Sequence, residues 1–325
     1  MSLTHNGLVT LDGTMSAAGG GGNGGVQIDG AGGITVNATL SSGSGVTNLA
    51  VAPSSFVTLN ANITTSGGVV QLSGSTKIQS GITIDTTNAG GVAAGANVSF
   101  SSTVDSSTAT PQSLTIAAGT GGAVTMTGAV GATNPLSSLQ VTAGNLTLGT
   151  SLKTTGSIDL TADRVALPTT ADSVSGGSIT IQTQTASRRL DIVSTETGSN
   201  LELTTTEIAA LKNGFSSITL GRSNGTGGIS VATPVTFNDP VTLRSPNGGT
   251  INVAGQITGA GDASVTLTSG ASGLIQLSSN IVTAGQAVTL TGPVQLAADV
   301  SIDTTNAGGA AAGAAISFSS TVNSS

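Results

Sequence analysis

Residues 84–107 read IDTTNAGGVAAGANVSFSSTVDSS, and residues 302–325 read IDTTNAGGAAAGAAISFSSTVNSS. The two blocks differ at only four positions and align without a gap at an offset of 218 (302 minus 84). Upstream, the stretch from Phe56 to Leu59 aligns with the stretch from Leu274 to Leu277. Apolar positions are the same in the two copies, while the residues between them differ. This pattern indicates a repeated structural unit rather than a repeated chemical site.

The alignment predicts about one and a half copies of a super-repeat of about 218 residues. In it, 26–107 matches 241–325, and 108–240 is present once. A chain that stops inside its own repeat is expected to be a fragment of a longer tandem array. We therefore expect residues 1–325 to form a single continuous solenoid fragment with a structural role.

The composition restricts the kind of core that the chain can form. The sequence has 48 Gly, five Phe, no Trp, no Tyr and no Cys, and only 7% of its residues are charged. Low charge argues against disorder, because disordered chains are usually polar and highly charged. The core is therefore expected to consist of stacked Ala, Val, Ile and Leu side chains.

Charge and hydropathy also limit the partners. The net charge is −7, which gives no electrostatic support for nucleic-acid binding. No apolar run of about 18 residues occurs, so membrane insertion is not expected. The segment Met1–His5 has neither the basic start nor the apolar stretch of a signal peptide, so a signal and an anchor would lie outside these residues. The absence of Cys fits a secreted and a cytosolic protein equally well.

Short triplets with apolar first and third residues recur along the chain, as in Val57-Thr58-Leu59, Ile179-Thr180-Ile181 and Val241-Thr242-Leu243. This period of two predicts short strands with one buried face. Clusters of Gly, Asn and Ser, such as 223–228, end the strands and redirect the chain. The pattern predicts an all-β fold, a right-handed single-stranded parallel β-helix (β-solenoid) of about 13 coils, with an antiparallel sandwich as its main competitor.

One segment departs from the strand pattern. Thr204 is a cap-type residue, Glu207 follows three residues later, and Ile208 and Leu211 are spaced for one face of a helix. We predict a short lateral helix near 205–213. We expect its apolar face to lie against the side of the coils. Because 13 of the 23 charged residues lie between 153 and 222, we expect the helix to be a solvated lateral decoration, with a partner-binding ledge as the alternative.

The sequence at 205–211 (Thr-x-Glu-Ile-x-x-Leu), the strands that follow it up to 231 and the two IDTTNAGG blocks resemble the repeats of filamentous haemagglutinin-type proteins. These are giant bacterial surface proteins and include adhesins. The resemblance covers essentially the whole chain as a style of repeat. It implies a β-helical shaft, export to the cell surface and a role in adhesion, aggregation or biofilm formation.

The sequence offers little chemistry, and we predict no catalytic, cofactor-binding or metal-binding residues. His5 is the only His, which excludes a multi-His metal site. Carbohydrate-cleaving β-helices use clustered acids, but this chain lacks aromatic platforms for sugar rings. The two acid groups that successive coils would bring together are Asp159, Asp163 and Asp172, and Asp191, Glu202 and Glu207.

A calcium array is not expected either. The stretch from Gly21 to Asp29 imitates the calcium-binding nonapeptide GGxGxDxUx without matching it, and no Asp-x-Asp pair occurs. Glycine-rich runs also lack the Gly-Lys-Ser/Thr of a phosphate loop. We interpret these runs as corners between strands.

Thr occupies the centre of many triplets, so stacked coils would present Thr ladders of the kind that bind ice. Taken in chain order, the ladder is interrupted by other residues. The high β-propensity of Thr also explains its presence at outward positions of strands without any ice-binding role. The interrupting residues are Gln71, Ser99, Gln140, Asp159, Asp191, Glu202, Asn252 and Gln276.

The main functional prediction is a non-enzymatic shaft segment of a large secreted bacterial surface adhesin or extracellular fibre protein. The alternatives are a self-assembling filament or surface-layer subunit, an ice-binding solenoid and a carbohydrate-active β-helix. The expected partners are other copies of the chain, associating end to end or laterally, and unidentified glycans or proteins of host or neighbouring cells. The expected location is extracellular, at the cell surface.

Overall fold

The computed structural model describes residues 1–17, 24–245 and 247–324. Nearly all of its regular elements are short β-strands, and the strands of successive coils pair in parallel. About 13 coils are present in all, which confirms the predicted β-solenoid. Contacts divide the chain into two compact units: unit 1 is Met1–Leu160 with Ala166–Pro168, and unit 2 is Thr161–Val165 with Thr169–Ser325. A single continuous domain over 1–325 stays a prediction.

The strands of the first half of the chain are β1 (Ser2–His5), β2 (Val9–Leu11), β3 (Met15–Ala17), β4 (Val26–Gly30), β5 (Ile34–Val36), β6 (Leu40–Ser42), β7 (Thr47–Val51), β8 (Phe56–Leu59), β9 (Ile63–Thr65), β10 (Val70–Ser73), β11 (Ser75–Ile78), β12 (Ile82–Asp85), β13 (Val98–Phe100), β14 (Val104–Ser106), β15 (Ser113–Ala117), β16 (Ala123–Met126), β17 (Ser138–Leu148), β18 (Leu152–Lys153) and β19 (Ser157–Ala166).

The elements of the second half are β20 (Val174–Ser175), β21 (Ser178–Gln182), β22 (Leu190–Val193), β23 (Leu201–Thr204), the helix α1 (Thr205–Ala209), β24 (Ile218–Leu220), β25 (Ile229–Val231), β26 (Val235–Phe237), β27 (Val241–Ser245), β28 (Thr250–Val253), β29 (Ile257–Gly259), β30 (Val265–Ser269), β31 (Leu274–Leu277), β32 (Ile281–Thr283), β33 (Val288–Thr291), β34 (Val294–Leu296), β35 (Ile302–Asp303), β36 (Ile316–Phe318) and β37 (Val322–Ser324).

A coil has three strands, one on each side. In unit 1, β4, β5 and β6 form one coil and β7, β8 and β9 the next, with each strand in register above its counterpart. In unit 2, β27, β28 and β29 are followed in the same way by β30, β31 and β32. Because the register is kept, each apolar side chain that points inward lies on the equivalent side chain of the neighbouring coil.

The two copies of the super-repeat are divided into coils in the same way. In the first copy, the register partners Thr47, Val70 and Val98 begin successive coils. In the second copy, Val265, Val288 and Ile316 begin successive coils, with the same spacing between the starts as in the first copy. The preceding coils differ, because the coil from 26 to 47 is shorter than the coil from 241 to 265, and this is where the sequence offset slips.

Alternating burial shows why these residues form strands. In β30 the inward Val265 and Leu267 are completely buried, while Thr266 between them is half-buried. Burying one aliphatic side chain of this size contributes roughly 1.5–3 kcal/mol. Since each coil covers its inward side chains with those of its neighbours, this stabilisation is approximately additive along each unit.

The predicted helix is present but shorter than expected. It ends at Ala209, and a capping box joins its first turn to Thr204, whose Oγ1 accepts a hydrogen bond from Glu207 N at 3.2 Å. Ile208 and Leu211 are each only 4% exposed, and the helix packs beside β26. The apolar side of the helix therefore packs against the coils, as predicted, while Thr206 and Ala209 are exposed.

Candidate functional site

The duplicated block folds into a turn organised by one carboxylate. Asp85 Oδ1 accepts hydrogen bonds from Thr87 N and Thr87 Oγ1, both at 2.7 Å, and Oδ2 accepts one from Ala89 N at 2.7 Å. Burial raises the pKa of Asp85, but the hydrogen bonds from Thr87 and Ala89 outweigh it and lower the pKa overall. The Asp85 carboxylate thus stabilises the turn by accepting hydrogen bonds from its backbone and from the Thr87 side chain.

The second copy repeats this turn bond for bond. Asp303 accepts hydrogen bonds from Thr305 N, Thr305 Oγ1 and Ala307 N, each at 2.7 Å. The left-handed φ angles also agree, at 55° for Ala89 and 54° for Ala307. The block repeats a piece of coil architecture and brings no additional chemical group.

Replacing Asp85 with Asn is expected to cost about 1 kcal/mol at pH 7, because an amide accepts fewer of these bonds and solvent weakens those that remain. A lowered pKa stabilises the fold above the unfolded-state pKa, and this contribution is lost as pH falls through the folded-state pKa. Urea unfolding should therefore separate D85N from the unsubstituted chain at pH 7 and bring the two together at strongly acidic pH. The exposed Asp262→Asn is the control, and an equal loss in both variants would contradict the assignment.

The first two members of one predicted acid group are neighbours. Asp191 in β22 and Glu202 in β23 are register partners, and both are buried. Glu202 accepts hydrogen bonds from Thr197 N at 2.6 Å, Thr197 Oγ1 at 2.5 Å and Gly198 N at 2.7 Å. Burial raises the pKa of Glu202, but these donors outweigh burial and lower it. The carboxylate is held as an acceptor for the loop between the strands.

The remaining member, Glu207, belongs to a different pair. Besides capping α1, it is hydrogen-bonded to Glu196, a residue for which the sequence offered no signal. Burial raises the pKa of Glu196, and the charge of Glu207 and its hydrogen bond raise it further, with a smaller contribution from Glu202 and an opposing one from Arg164. The carboxyl group of Glu196, in the loop 194–200, is therefore hydrogen-bonded to that of Glu207 in α1.

The other predicted acid group has structural contacts of its own. Asp163 accepts a hydrogen bond from Thr185 N at 2.8 Å and is paired with Arg188 Nε at 3.5 Å. Asp172 lies in a turn with φ of 58°, and Asp159 is half-buried in β19.

The two remaining candidates also have local roles. His5 Nδ1 accepts a hydrogen bond from Gly7 N at 2.9 Å. In the imitation of a calcium motif, residues 21–23 lie outside the described part of the chain, and Asp29 accepts a hydrogen bond from Gln27 at 2.8 Å. Over residues 1–17, 24–245 and 247–324, no group of three or more His, Cys, Asp or Glu side chains is arranged to hold a metal ion.

A concentration of positive charge was missed by the sequence reasoning. Four of the eight basic residues line two adjoining depressions at the glycine-rich turns of unit 2. We call this set, Arg188, Arg189, Arg222 and Arg244, the arginine corner. A narrow cleft contains Arg188, Arg222 and Arg244, and a wider groove contains Arg189.

Two members of the arginine corner are held by neutral groups. Arg222 donates from Nη1 to the carbonyl oxygens of Thr183 at 2.7 Å and Gln184 at 2.9 Å, and Arg244 donates from Nε to Gly221 O at 3.0 Å. Burial lowers the pKa of Arg244. The ion pairs found among the described residues are those of Lys77, Arg188 and Arg189, so the charges of Arg222 and Arg244 have no carboxylate beside them.

The wider groove has a volume of about 420 Å³ and a polar lining. Gly228 and Ile229 line both this groove and the narrow cleft. A Cβ atom on Gly228 would lie 2.7 Å from Thr250 O, so the corner is tight enough to require glycine. The polar side chains in the lining are Arg189, Thr226, Thr250, Asn252 and Gln276.

The coils sort the outward residues by face, and one face of unit 2 carries an unbroken Thr ladder. Its members are successive register partners and lead on to Ser317. Asp191, Glu202, Asn252 and Gln276, expected to interrupt it, belong to another sheet, the one that contains β22, β28 and β31. The ladder consists of Thr180, Thr219, Thr242, Thr266 and Thr289.

Comparison with protein-family models, curated proteins and solved structures finds no match to this chain. In the described part of the chain, no helix has the length and hydropathy needed to cross a bilayer.

Proposed function

We propose that this chain is a non-enzymatic structural segment of a large secreted bacterial surface adhesin or extracellular fibre protein. The observation that carries the proposal is the duplicated turn, in which Asp85 and Asp303 make the same hydrogen bonds. A protein that repeats its architecture with such fidelity, without repeating a chemical group, is suited to extending and presenting a surface. The resemblance to filamentous haemagglutinin-type repeats supports the same role.

The acids favour a structural role over catalysis. Catalytic carboxylates have to remain available to a substrate, whereas Glu202 is saturated by donors of its own loop and Asp191 is bound by Arg189 Nε at 2.5 Å and Asn200 Nδ2 at 2.8 Å. Both carboxylates hold the loop that joins β22 to β23. The proposal therefore assigns adhesion to repeated surface contacts.

Adhesion can be tested with the purified chain coupled to fluorescent beads. We expect these beads to attach to epithelial or bacterial cell layers in greater number than albumin-coated beads. Attachment no greater than that of albumin on every surface would contradict the adhesive role. Release of reducing sugar from a panel of polysaccharides would contradict the non-enzymatic part of the proposal.

The Thr ladder favours a second candidate, binding of ice. Neighbouring Thr residues in the ladder are spaced by about 4.8 Å between coils, and Thr268 and Thr291 add part of a second column about 6.7 Å along the strands. A flat array of hydroxyl and methyl groups at regular spacing is suited to ordering water. Its second column is incomplete, because Arg244 occupies the next position.

Thermal hysteresis of the purified chain tests this candidate. If the ladder binds ice, we expect a freezing-point gap that is lost in Thr266→Lys and kept in Gln276→Lys, a substitution in the same coil on another sheet. The absence of a gap, or its equal loss in two folded variants, would contradict ice binding.

A further inference from the structure

We infer that Asn6-Gly7 is a self-modification site, at which Asn6 closes onto the backbone nitrogen of Gly7, loses ammonia and becomes aspartate or isoaspartate, with His5 as the base. The reaction occurs once per chain and consumes only water. It is therefore no enzymatic activity, and it goes beyond the proposed function without depending on it. Three observations carry the inference: the hydrogen bond of the Gly7 amide, the freedom of the Asn6 side chain and the contrast with other Asn-Gly pairs.

The first observation is the position of His5. Its Nδ1 atom accepts a hydrogen bond from Gly7 N at 2.9 Å. Gly7 N has to lose its proton to attack a side-chain amide, and a general base acts from hydrogen-bond distance of the proton that it removes. Because Nδ1 accepts the bond, it carries the lone pair that takes this proton. A Cβ atom on residue 7 would lie 2.9 Å from His5 Cε1, so the absence of a side chain there leaves room for the imidazole.

The second observation is that Asn6 is free to rotate. It lies in the bend between β1 and β2 and is exposed, and no hydrogen bond within the described residues involves its side chain. Rotation about its side-chain bonds brings Cγ towards the nitrogen of the next residue, where attack closes a succinimide ring. His5, Asn6 and Asp29 line an open depression of about 250 Å³, which gives water access to the bend.

The reaction balances without an oxidant or a reductant. The bond from Gly7 N to Asn6 Cγ forms, and the bond from Asn6 Cγ to Nδ2 breaks. The proton of Gly7 N passes to His5 Nδ1 and from there to the departing nitrogen, which leaves as ammonia. Water then opens the succinimide at one of its two carbonyl carbons and gives aspartate or isoaspartate. The product carries a new negative charge in the depression that Asp29 also lines.

The third observation is that two other Asn-Gly pairs lack one part of this arrangement. Asn224 Oδ1 accepts a hydrogen bond from Arg222 Nε at 2.8 Å, so that side chain is held in place. At Asn213, the amide of Gly214 donates at 2.8 Å to Asp239 Oδ1. Asp239 is only 1% exposed, so its carboxylate is closed to the solvent with which a base has to exchange the proton. Both pairs are therefore expected to react more slowly than Asn6.

Asn247-Gly248 is the matched comparison within the same chain. Asn247 is exposed like Asn6, and its side chain has no hydrogen bond to another described residue. Among the described residues, no side-chain base accepts a hydrogen bond from Gly248 N. The two pairs thus share the dipeptide and the exposure and differ in the presence of an imidazole.

Peptide mapping of the full chain by mass spectrometry, during incubation at neutral pH and physiological temperature, tests the inference. We expect Asn6 to convert at least about tenfold faster than Asn247, because a positioned general base contributes at least this factor. His5→Gln keeps an acceptor for the Gly7 amide but no base, and should lower the Asn6 rate to that of Asn247. His5→Ala should show the same loss and regain part of the rate when imidazole is added to the solution.

Each result decides the matter. Equal rates at Asn6 and Asn247, an unchanged Asn6 rate in His5→Gln, or no response of His5→Ala to imidazole would overturn the inference. A purely structural role of His5 would not respond to imidazole, so this arm separates the base from a packing residue. If either variant fails to fold, as judged by circular dichroism, the comparison of Asn6 with Asn247 in the unsubstituted chain decides alone.

Discussion

Replacing Phe100 with Ala is expected to lower the free energy of unfolding by about 3–5 kcal/mol. Phe100 is among the largest fully buried side chains, and its register partners in the neighbouring coils are Leu72 and Met126. Truncation leaves a cavity that both coils line, and the fixed spacing of strands prevents them from collapsing into it. The loss should appear as a lower urea midpoint for unfolding.

Phe56 provides a matched control in the same unit. Phe56 is 46% exposed, and the centroid of its ring lies 5.2 Å from Lys77 Nζ. A cation–π contact at an exposed site contributes about 0.5–1 kcal/mol, so Phe56→Ala should cost no more than that. If the two substitutions cost the same, the assignment of Phe100 to an inward stack between coils would be wrong.

Replacing Gly95 with Ala is expected to cost about 2–5 kcal/mol in all. Its φ of 59° is left-handed, which costs a non-glycine residue roughly 1–2 kcal/mol. The new Cβ atom would also lie 2.0 Å from Ala118 O of the next coil. Overpacking of this kind costs about 1–3 kcal/mol more, because the backbone of one coil has to move. Thermal unfolding of G95A should therefore begin at a markedly lower temperature.

The second copy of the block supplies the control. Gly313 has a φ of 57°, but its Cβ would meet only Thr304 and Thr305 side-chain atoms, each at 3.2 Å. Gly313→Ala should therefore carry the conformational cost of about 1–2 kcal/mol without the clash. Equal effects in G95A and G313A would show that the close approach of neighbouring coils has been assigned wrongly.

The period of two was sufficient to predict the fold class, because inward Val, Ile and Leu alternate with half-buried polar residues along nearly every strand. The face on which an outward residue lies was not predictable. Thr266 and Gln276 lie in successive strands of one coil and therefore on different sheets, although chain order suggested one interrupted ladder. Because the coils differ in length, the side on which a strand lies cannot be found by counting residues.

The helix shows a similar limit. Thr204 and Glu207 predicted its start correctly through the capping box. Ile208 and Leu211 predicted which side of the helix packs against the coils, whereas its end at Ala209 was not predictable from the sequence.

The arginine corner could not be predicted from the sequence for a related reason. Arg188, Arg222 and Arg244 are far apart in the sequence, and only the register of the coils brings them together. The concentration of charge between 153 and 222 was the available signal, and it covered two of the three.

Spin labelling shows whether the coils stack in parallel and in register. The chain has no Cys, so nitroxide pairs can be attached at introduced Cys residues without interference. Thr242 and Thr266 are register partners in β27 and β30, which places their backbones about 4.8 Å apart, whereas Thr258 belongs to another sheet. Strong spin–spin broadening is predicted for the Thr242→Cys/Thr266→Cys pair and none for Thr242→Cys/Thr258→Cys, although the second pair is closer in sequence. Broadening in the second pair and its absence in the first would contradict the stacked-coil account.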